Sequence, residues 1–372
     1  MKTYIFEGSL TAESPLATCS KDLKDREGGD ATKPVPIPST VTRDGKRLMF
    51  PATGIRGKLR RAARDLVRDA VIRKTGNDKP FSLEQHYLLT LGGIKSSGTS
   101  ERSTVALEAS FRRANPMISL FGAGDAGILG FVSGHLAVDN AICVNPCEAD
   151  HQAQIFSGAR SDDLYRDKTQ VSFLSDADIT NLINQSDANK VRSQLSMEAK
   201  SLKAKASKLR KEGASVEAQA EVKAQQDAID LKLKVLAEEG NKDVSVGMPL
   251  AGFKAIPQGE VMNHGMKLLR SNEVELGLIL KALNIFSLEP VIGAHVATGC
   301  GIVSGSYKVY EVTLQGRTQI GEVTLKPFDL ALVQGEALLS AINTFEDFML
   351  GEDSDFSIPV KAVKTPNAVV QD

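Results

Sequence analysis

Residues 176–240 contain no proline and are dominated by alanine, lysine, glutamine and glutamate, unlike the chain on either side. Val191, Leu195, Ala199, Leu202, Ala206 and Leu209 recur at three- and four-residue steps. Val216, Ala220, Ala224, Ala228, Leu231 and Val235 repeat the pattern after Gly213. Two amphipathic helices broken by a glycine make a helical hairpin. Mixed strand and helix patterns precede and follow it, so the hairpin is expected as an insertion that splits one body in two. The chain's 372 residues are ample for such a body.

In the body, residues 2–10 alternate like an opening strand, and residues 11–50, with Gly28-Gly29 and Pro34, Pro36 and Pro38, read as a long excursion. Ile55, Leu59, Ala62, Leu66 and Ala70 predict an amphipathic helix starting near Thr53, a candidate N-cap. Asn115-Pro116 predicts a short capped helix through Leu120, ending before Gly122, and 127–138 reads as strand. After the insertion come a strand at 253–256, a Pro257-Gln258-Gly259 turn and a strand at 261–269. A helix capped by Asn272 with Glu275 follows, with Val274, Leu278, Leu283 and Phe286 facing inward. A glycine-rich loop at 293–305, strands at 306–314 and 319–325 and a helix near 335–350 close the chain. This order fits an elaborated ferredoxin-like α+β fold.

Charge is segregated. The net charge is −1, yet Arg43 to Lys74 holds eleven basic residues against three acidic ones. Within it Arg56, Arg60, Arg64 and Arg68 fall at successive steps of four. Lys190–Lys211 has eight basic residues and one acidic, whereas Glu212–Glu239 has seven acidic and three basic. Opposite charges flanking an antiparallel seam favour pairing of the two hairpin helices over a nucleic-acid role for the first. Phosphate binding depends on local potential, so the 43–74 segment keeps a polyanion partner open. Four cysteines in so long a chain do not make a disulfide framework. No run has the length and apolarity of a membrane span, and Met1-Lys2-Thr3-Tyr4-Ile5-Phe6-Glu7 lacks a signal-peptide pattern. The chain reads as cytoplasmic.

The stretch Phe50-Pro51-Ala52-Thr53-Gly54-Ile55-Arg56-Gly57-Lys58-Leu59-Arg60-Arg61 joins a helix start to clustered cations. Free N–H groups and forked guanidinium donors suit a phosphate, while a solvated basic face is the plain alternative. The 293–305 loop has glycines at 293, 299, 301 and 305, but it follows a helix and lacks the order of a dinucleotide-binding turn. Cys143, Cys147 and His151, with His135, have zinc-like spacing, but Pro146 intervenes and no second cysteine pair exists, so no metal or cofactor is expected. Asp22, Asp25 and Asp30 are loop carboxylates able in principle to support metal-assisted cleavage. Leu164, Tyr165, Phe173, Met248, Leu250 and Phe253 flank the insertion, where apolar residues either anchor it or wedge between bases.

Four pieces in order carry a resemblance: Pro51-x-Thr53-x-Ile55-Arg56-Gly57-Lys58-Leu59-Arg60; Asn115-Pro116 through Leu120-Phe121-Gly122; Ile256-Pro257-Gln258-Gly259; and the 293–305 loop. Together they resemble the backbone subunit of multi-subunit CRISPR effector complexes, of the repeat-associated mysterious protein (RAMP) superfamily, most of all its type IV form. The resemblance implies a modified RNA-recognition-like palm from 1–160 and 255–372. It implies an inserted thumb at 161–254, with the hairpin at about 176–240 as its extension. Copies would stack along a CRISPR RNA beside other effector subunits and support pairing with a target nucleic acid, with DNA ahead of RNA and the sequence not deciding between them.

By matching position, Thr53, Gly54, Arg56, Lys58 and Arg60, with the neighbouring Arg61 and Arg64, would hold guide phosphates. Gly293, His295, Thr298, Gly299 and Gly301 would line the same groove, and Lys95, Ser96 and Ser97 would add a polar loop. Met248 and Leu250 would form the thumb wedge, and Asp22, Asp25 and Asp30 do not match the family's cleaving aspartate pattern. Guide binding without catalysis is therefore expected. Two other readings stand beside it: an RNA-cleaving or guide-processing member of the same superfamily, and a protein-interaction module centred on the hairpin.

Overall fold

The computed structural model describes residues 2–18, 34–93, 104–146, 153–156, 175–211, 216–239 and 252–357. The strands are β1 (Lys2–Ala12), β2 (Leu16–Ala17), β3 (Ser39–Thr42), β4 (Gly45–Phe50), β5 (Leu136–Val138), β6 (Ala141–Cys143), β7 (Gln154–Phe156), β8 (Phe253–Ile256), β9 (Val261–Ser271), β10 (Val303–Thr313), β11 (Gly316–Leu325) and β12 (Leu332–Gln334). The helices are α1 (Ala52–Thr75), α2 (Leu83–Leu91), α3 (Val105–Ala114), α4 (Pro116–Phe121), α5 (Asp176–Lys211), α6 (Val216–Glu239), α7 (Glu273–Leu288) and α8 (Glu336–Leu350). Two compact units result: Met1–Ser157 with Ala251–Asp372, and Gly158–Leu250.

The first unit is built on an antiparallel sheet in the order β12-β11-β10-β1-β9-β6-β4-β3, with β5 also paired to β9. Its centre is a β-α-β-β-α-β unit made of β1, α1, β5/β6, β9, α7 and β10. Those strands lie in the spatial order fourth, first, third, second, which makes the fold α+β and ferredoxin-like. Period-two alternation puts Tyr4, Phe6 and Leu10 of β1, Met262, Met266 and Leu268 of β9, and Val303, Tyr307 and Val309 of β10 into the core. Ile55, Leu59, Ala63 and Val67 of α1 and Leu276, Ile279, Leu280 and Leu283 of α7 cover them.

Helix α7 is legible from its cap: Asn272 accepts from the Glu275 amide, and Glu275 returns a carboxylate to the Asn272 amide, both at 2.9 Å. Glu275 also meets His135 at 3.1 Å, so that histidine, the remote fourth position of the zinc-like spacing, belongs to a buried cap. Helix α8 crosses α7 so closely that a Cβ at Gly277 would lie 2.1 Å from the Ala341 carbonyl oxygen.

Several sequence expectations are corrected. The 11–50 excursion contains the β3–β4 hairpin, turned at Gly45 with φ +118. Helices α2 and α3 are additional to the expected elements, and the expected strand at 127–138 is a 3-10 turn at Gly127–Leu129 followed by β5. Strand β10 starts at Val303, ahead of the expected 306.

Among the described residues, the second unit comprises α5 and α6, which pack on each other. In α5 the expected stripe Leu195, Ala199, Leu202, Ala206 and Leu209 is the sheltered one, although Val191 is exposed. In α6 the expected stripe is wrong. Ala220, Ala224, Ala228, Leu231 and Val235 are exposed, and Val222, Gln226, Ile229 and Leu233 turn inward. A row spaced by fours advances about 40° around the helix at each step, so the alanine row drifts off any straight seam, whereas alternating threes and fours hold it.

Candidate nucleic-acid interface

Helix α1 begins one residue earlier than expected and without the expected cap. Pro51 occupies the N-cap, Thr53 is exposed with no capping bond, and the Ala52 amide donates to Asn140 Oδ1 at 2.8 Å. The acceptor comes from the β5–β6 turn, far along the chain. Glycine at 54 is required by packing, since a Cβ there would lie 2.8 Å from the Phe50 ring.

The basic run then divides. On one side of α1, Gly54, Lys58, Arg61, Arg64 and Asp65 line a cleft of about 430 Å³. The end of α7 and the following loop close it through Ile285, Phe286, Glu289, Val291, Ile292, Gly293 and Val296. Lys58 Nζ meets Glu289 Oε1 at 3.5 Å, and Arg64 spans Asp65 Oδ1 at 2.7 Å and Thr90 Oγ1 at 3.2 Å. Arg61 is exposed and makes no ion pair among the described residues. Five of the expected phosphate-groove positions, Gly54, Lys58, Arg61, Arg64 and Gly293, thus meet in one place.

Arg56 and Arg60 do not join them. Arg60 is 6% exposed. Its guanidinium donates to the carbonyls of Leu89 (2.7 Å), Leu88 (2.8 Å) and Gly122 (3.0 Å). Those carbonyls end α2 and α4, so one cation serves the negative ends of two helices. Burial, with a smaller contribution from the Arg56 charge, pushes its pKa down to about 10. Arg56 donates to the Phe121 carbonyl at 2.6 Å and is also lowered by burial. Both guanidinium groups stand near the Phe121 ring, 5.8 and 5.9 Å from its centroid. Arg60 is thus engaged by the fold, and Arg56 gives one donor to the Phe121 carbonyl, so neither lines the cleft with the other expected phosphate positions.

The glycine-rich loop is pinned at both ends. The Ala294 and Gly301 amides donate to the Ala17 and Pro15 carbonyls, each at 2.9 Å. Gly293, at φ +87, lies where a Cβ would come 2.2 Å from the Ala17 carbonyl oxygen, and Gly301, at φ +104, would put one 2.4 Å from that of Ile292. Between them a 3-10 turn spans Val296–Thr298. His295 precedes it in the left-handed region (φ 61), and its carbonyl accepts from the Thr298 hydroxyl at 2.8 Å and the Thr298 amide at 3.0 Å. The His295 ring lies flat on Phe253, centroids 3.7 Å apart and planes 7° apart. Thr298 and Gly299 are exposed on the same turn.

No protein-family model matches the chain, and no curated protein matches it. Among solved structures it is similar to a chain described as "Type IV-B CRISPR Complex". The identity is 12%, with 82% of this chain and 90% of that chain covered, and the TM-score is 0.40. A likeness at that level carries no argument about what this chain does.

Several expected positions lie outside the described residues: Lys95, Ser96 and Ser97; the wedge residues Met248 and Leu250; Asp22, Asp25 and Asp30; and Cys147 and His151. Phe253, expected as a flank of the insertion, sits in β8 against Phe156 and His295. Sequence reasoning missed three partners that shape the site: Asn140, Glu289 and Phe156. No local pattern marks them, because each meets its partner through the tertiary fold. Among the described helices, none is long and apolar enough to cross a membrane.

Proposed function

We propose that this chain is a guide-RNA-binding backbone subunit of a CRISPR-type effector complex, assembling in copies along the guide beside other effector subunits and taking no catalytic part. The observation that carries the proposal is the cleft in which Lys58, Arg61 and Arg64 face the glycine-rich loop. Cations set opposite a loop whose Gly293 lets the backbone come close suit a sugar–phosphate strand. A volume of about 430 Å³ lies at the low end for a site that takes one small ligand, so the cleft would seat only a small part of a strand at a time. The resemblance carried by the four ordered motifs supports a CRISPR RNA as that strand, pairing with a complementary nucleic acid, DNA or RNA.

With no tryptophan and five tyrosines, the protein absorbs weakly at 280 nm, so RNA that copurifies from cells carrying the CRISPR locus is visible at once. Arg61→Ala supplies the site test. Losing one phosphate contact on a single strand lowers the slope of log K against log salt by about 0.7, which at 0.1 M salt is about a fivefold loss of affinity. The melting temperature should stay within about 1 °C, as for other exposed substitutions. Unchanged affinity and slope in Arg61→Ala, and in Lys58→Ala combined with Arg64→Ala, would refute the assignment. Magnesium-dependent cleavage of the bound strand would refute the absence of catalysis.

A further inference from the structure

Three rings form a column that ends in the loop bordering the cleft. Phe156 and Phe253 are cross-strand partners in β7 and β8, with centroids 5.3 Å apart and planes 14° apart. Phe253 is buried at 8% exposure, and its ring continues onto the His295 imidazole at 3.7 Å and 7°. His295 is exposed, so the column runs from a sheet to the surface and ends on a flat heteroaromatic ring. Exposed histidines ordinarily sample several rotamers, but this one is held at one ring face and at its backbone. Its ring is stacked on Phe253, its carbonyl is engaged by Thr298, and the adjacent Ala294 amide is tied to Ala17. Phe253 belongs to a small buried cluster with Ala17, Ala255 and Cys300, so the His295 imidazole covers one edge of that cluster while itself remaining exposed. In sequence it stands between Gly293 and Val296, both of which line the basic cleft.

Proteins that hold single strands combine cations along the backbone with aromatic faces on which bases stack, and a ring held in place beforehand loses little freedom on binding. We propose that His295 is a base-stacking platform: an unpaired nucleobase of the strand held in the cleft lies on the imidazole and extends the Phe156–Phe253–His295 column by one ring. The inference rests on the single-strand-binding reading above. It adds a recognition element for the base, tolerant of base identity because every base offers a π face.

The test uses the full chain and RNA carrying 2-aminopurine at successive positions, whose fluorescence falls when the base stacks. Wild-type protein should quench the probe at defined positions. His295→Ala should abolish that quenching and weaken binding by about five- to a hundredfold. The salt slope should stay unchanged, because no phosphate contact is lost. His295→Phe should restore both affinity and quenching, with melting curves confirming that each variant is folded. If wild-type protein binds no RNA, the functional reading itself fails. If it binds with the expected salt dependence and His295→Ala changes neither affinity nor quenching, the platform alone is overturned. A slope lowered by about 0.7 in His295→Ala, with no rescue by His295→Phe, would make His295 a phosphate ligand and also overturn it.

Discussion

Replacing Arg60 with alanine separates a structural cation from a ligand-binding one. Lowering the Arg60 pKa from 12.5 to about 10 corresponds to roughly 3 kcal/mol of cost for holding the charge out of water. Against this stand three hydrogen bonds of 3.0 Å or less to carbonyl oxygens, each worth about 1.5–3 kcal/mol with a charged donor. The balance favours the buried cation by about 2–6 kcal/mol. Truncation removes the buried cation that joins the ends of α2 and α4, leaving Leu88 only the Gly92 amide, so Arg60→Ala should destabilise the fold by about 4 kcal/mol. For a unit of this size the midpoint of a thermal melt followed by circular dichroism should fall by about 10 °C. Arg60→Lys should recover only part of the loss, because a single ammonium cannot fork across two helix ends. RNA affinity measured well below the melt should keep its salt slope. A melt within about 1 °C of wild type, together with a slope lowered by about 0.7, would refute the reasoning and return Arg60 to the phosphate groove.

Two further outcomes follow from the core. Burial, against a weaker opposing effect of Asp139, holds the His264 pKa down at about 4, below an ordinary 6.5. The unfolded chain therefore takes up the proton first as pH falls, and stability is lost between about pH 6.5 and 4, by roughly 3 kcal/mol in all. Urea melts across that range should show this component in the wild type and not in His264→Gln; equal pH slopes would exclude it. Gly277→Ala should cost about 1–3 kcal/mol in the same assay by forcing α7 and α8 apart, and an unchanged midpoint would show that the crossing can yield.

How much of this was legible in sequence depends on how local each determinant is. The capped start of α7 lies within four residues, Asn272 to Glu275, and so does that of α4 at Asn115, which accepts from the Ile118 amide. Both were readable. So was a capping box at Ser82 and Gln85, but only two buried leucines follow it in α2, too few for an apolar period to stand out. The start of α1 was misread because its amide acceptor, Asn140, is supplied by a distant turn. The α6 stripe was misread because small alanines at steps of four imitate a seam that Val222 and Ile229, two residues and one residue beyond Ala220 and Ala228, actually form. At the site, the charge count found the right helix, while the assignment of each cation depended on neighbours with no sequence signature.

Helical phase accounts for part of that division. Measured from Leu59, the buried centre of the α1 stripe, each residue turns the helix by about 100°, so Arg56 lies about 60° away, Arg60 and Lys58 about 100° to either side, and Arg61 about 160° away. Phase alone therefore puts Arg56 toward the core and Arg61 outward, as found. It cannot separate Arg60 from Lys58. What separates them is what each flank meets: the carbonyl ends of α2 and α4 on one side, and Glu289 with the glycine-rich loop on the other. Carbonyl ends offer several fixed acceptors that a planar guanidinium can bridge, and they hold Arg60 permanently. A single carboxylate on a largely exposed Glu289 is a weaker and solvent-screened partner for Lys58. A phosphate can displace such a partner at small cost. The same basic helix thus anchors its domain through one flank and keeps cations exchangeable on the other, and a binding interface should be sought on the exchangeable side.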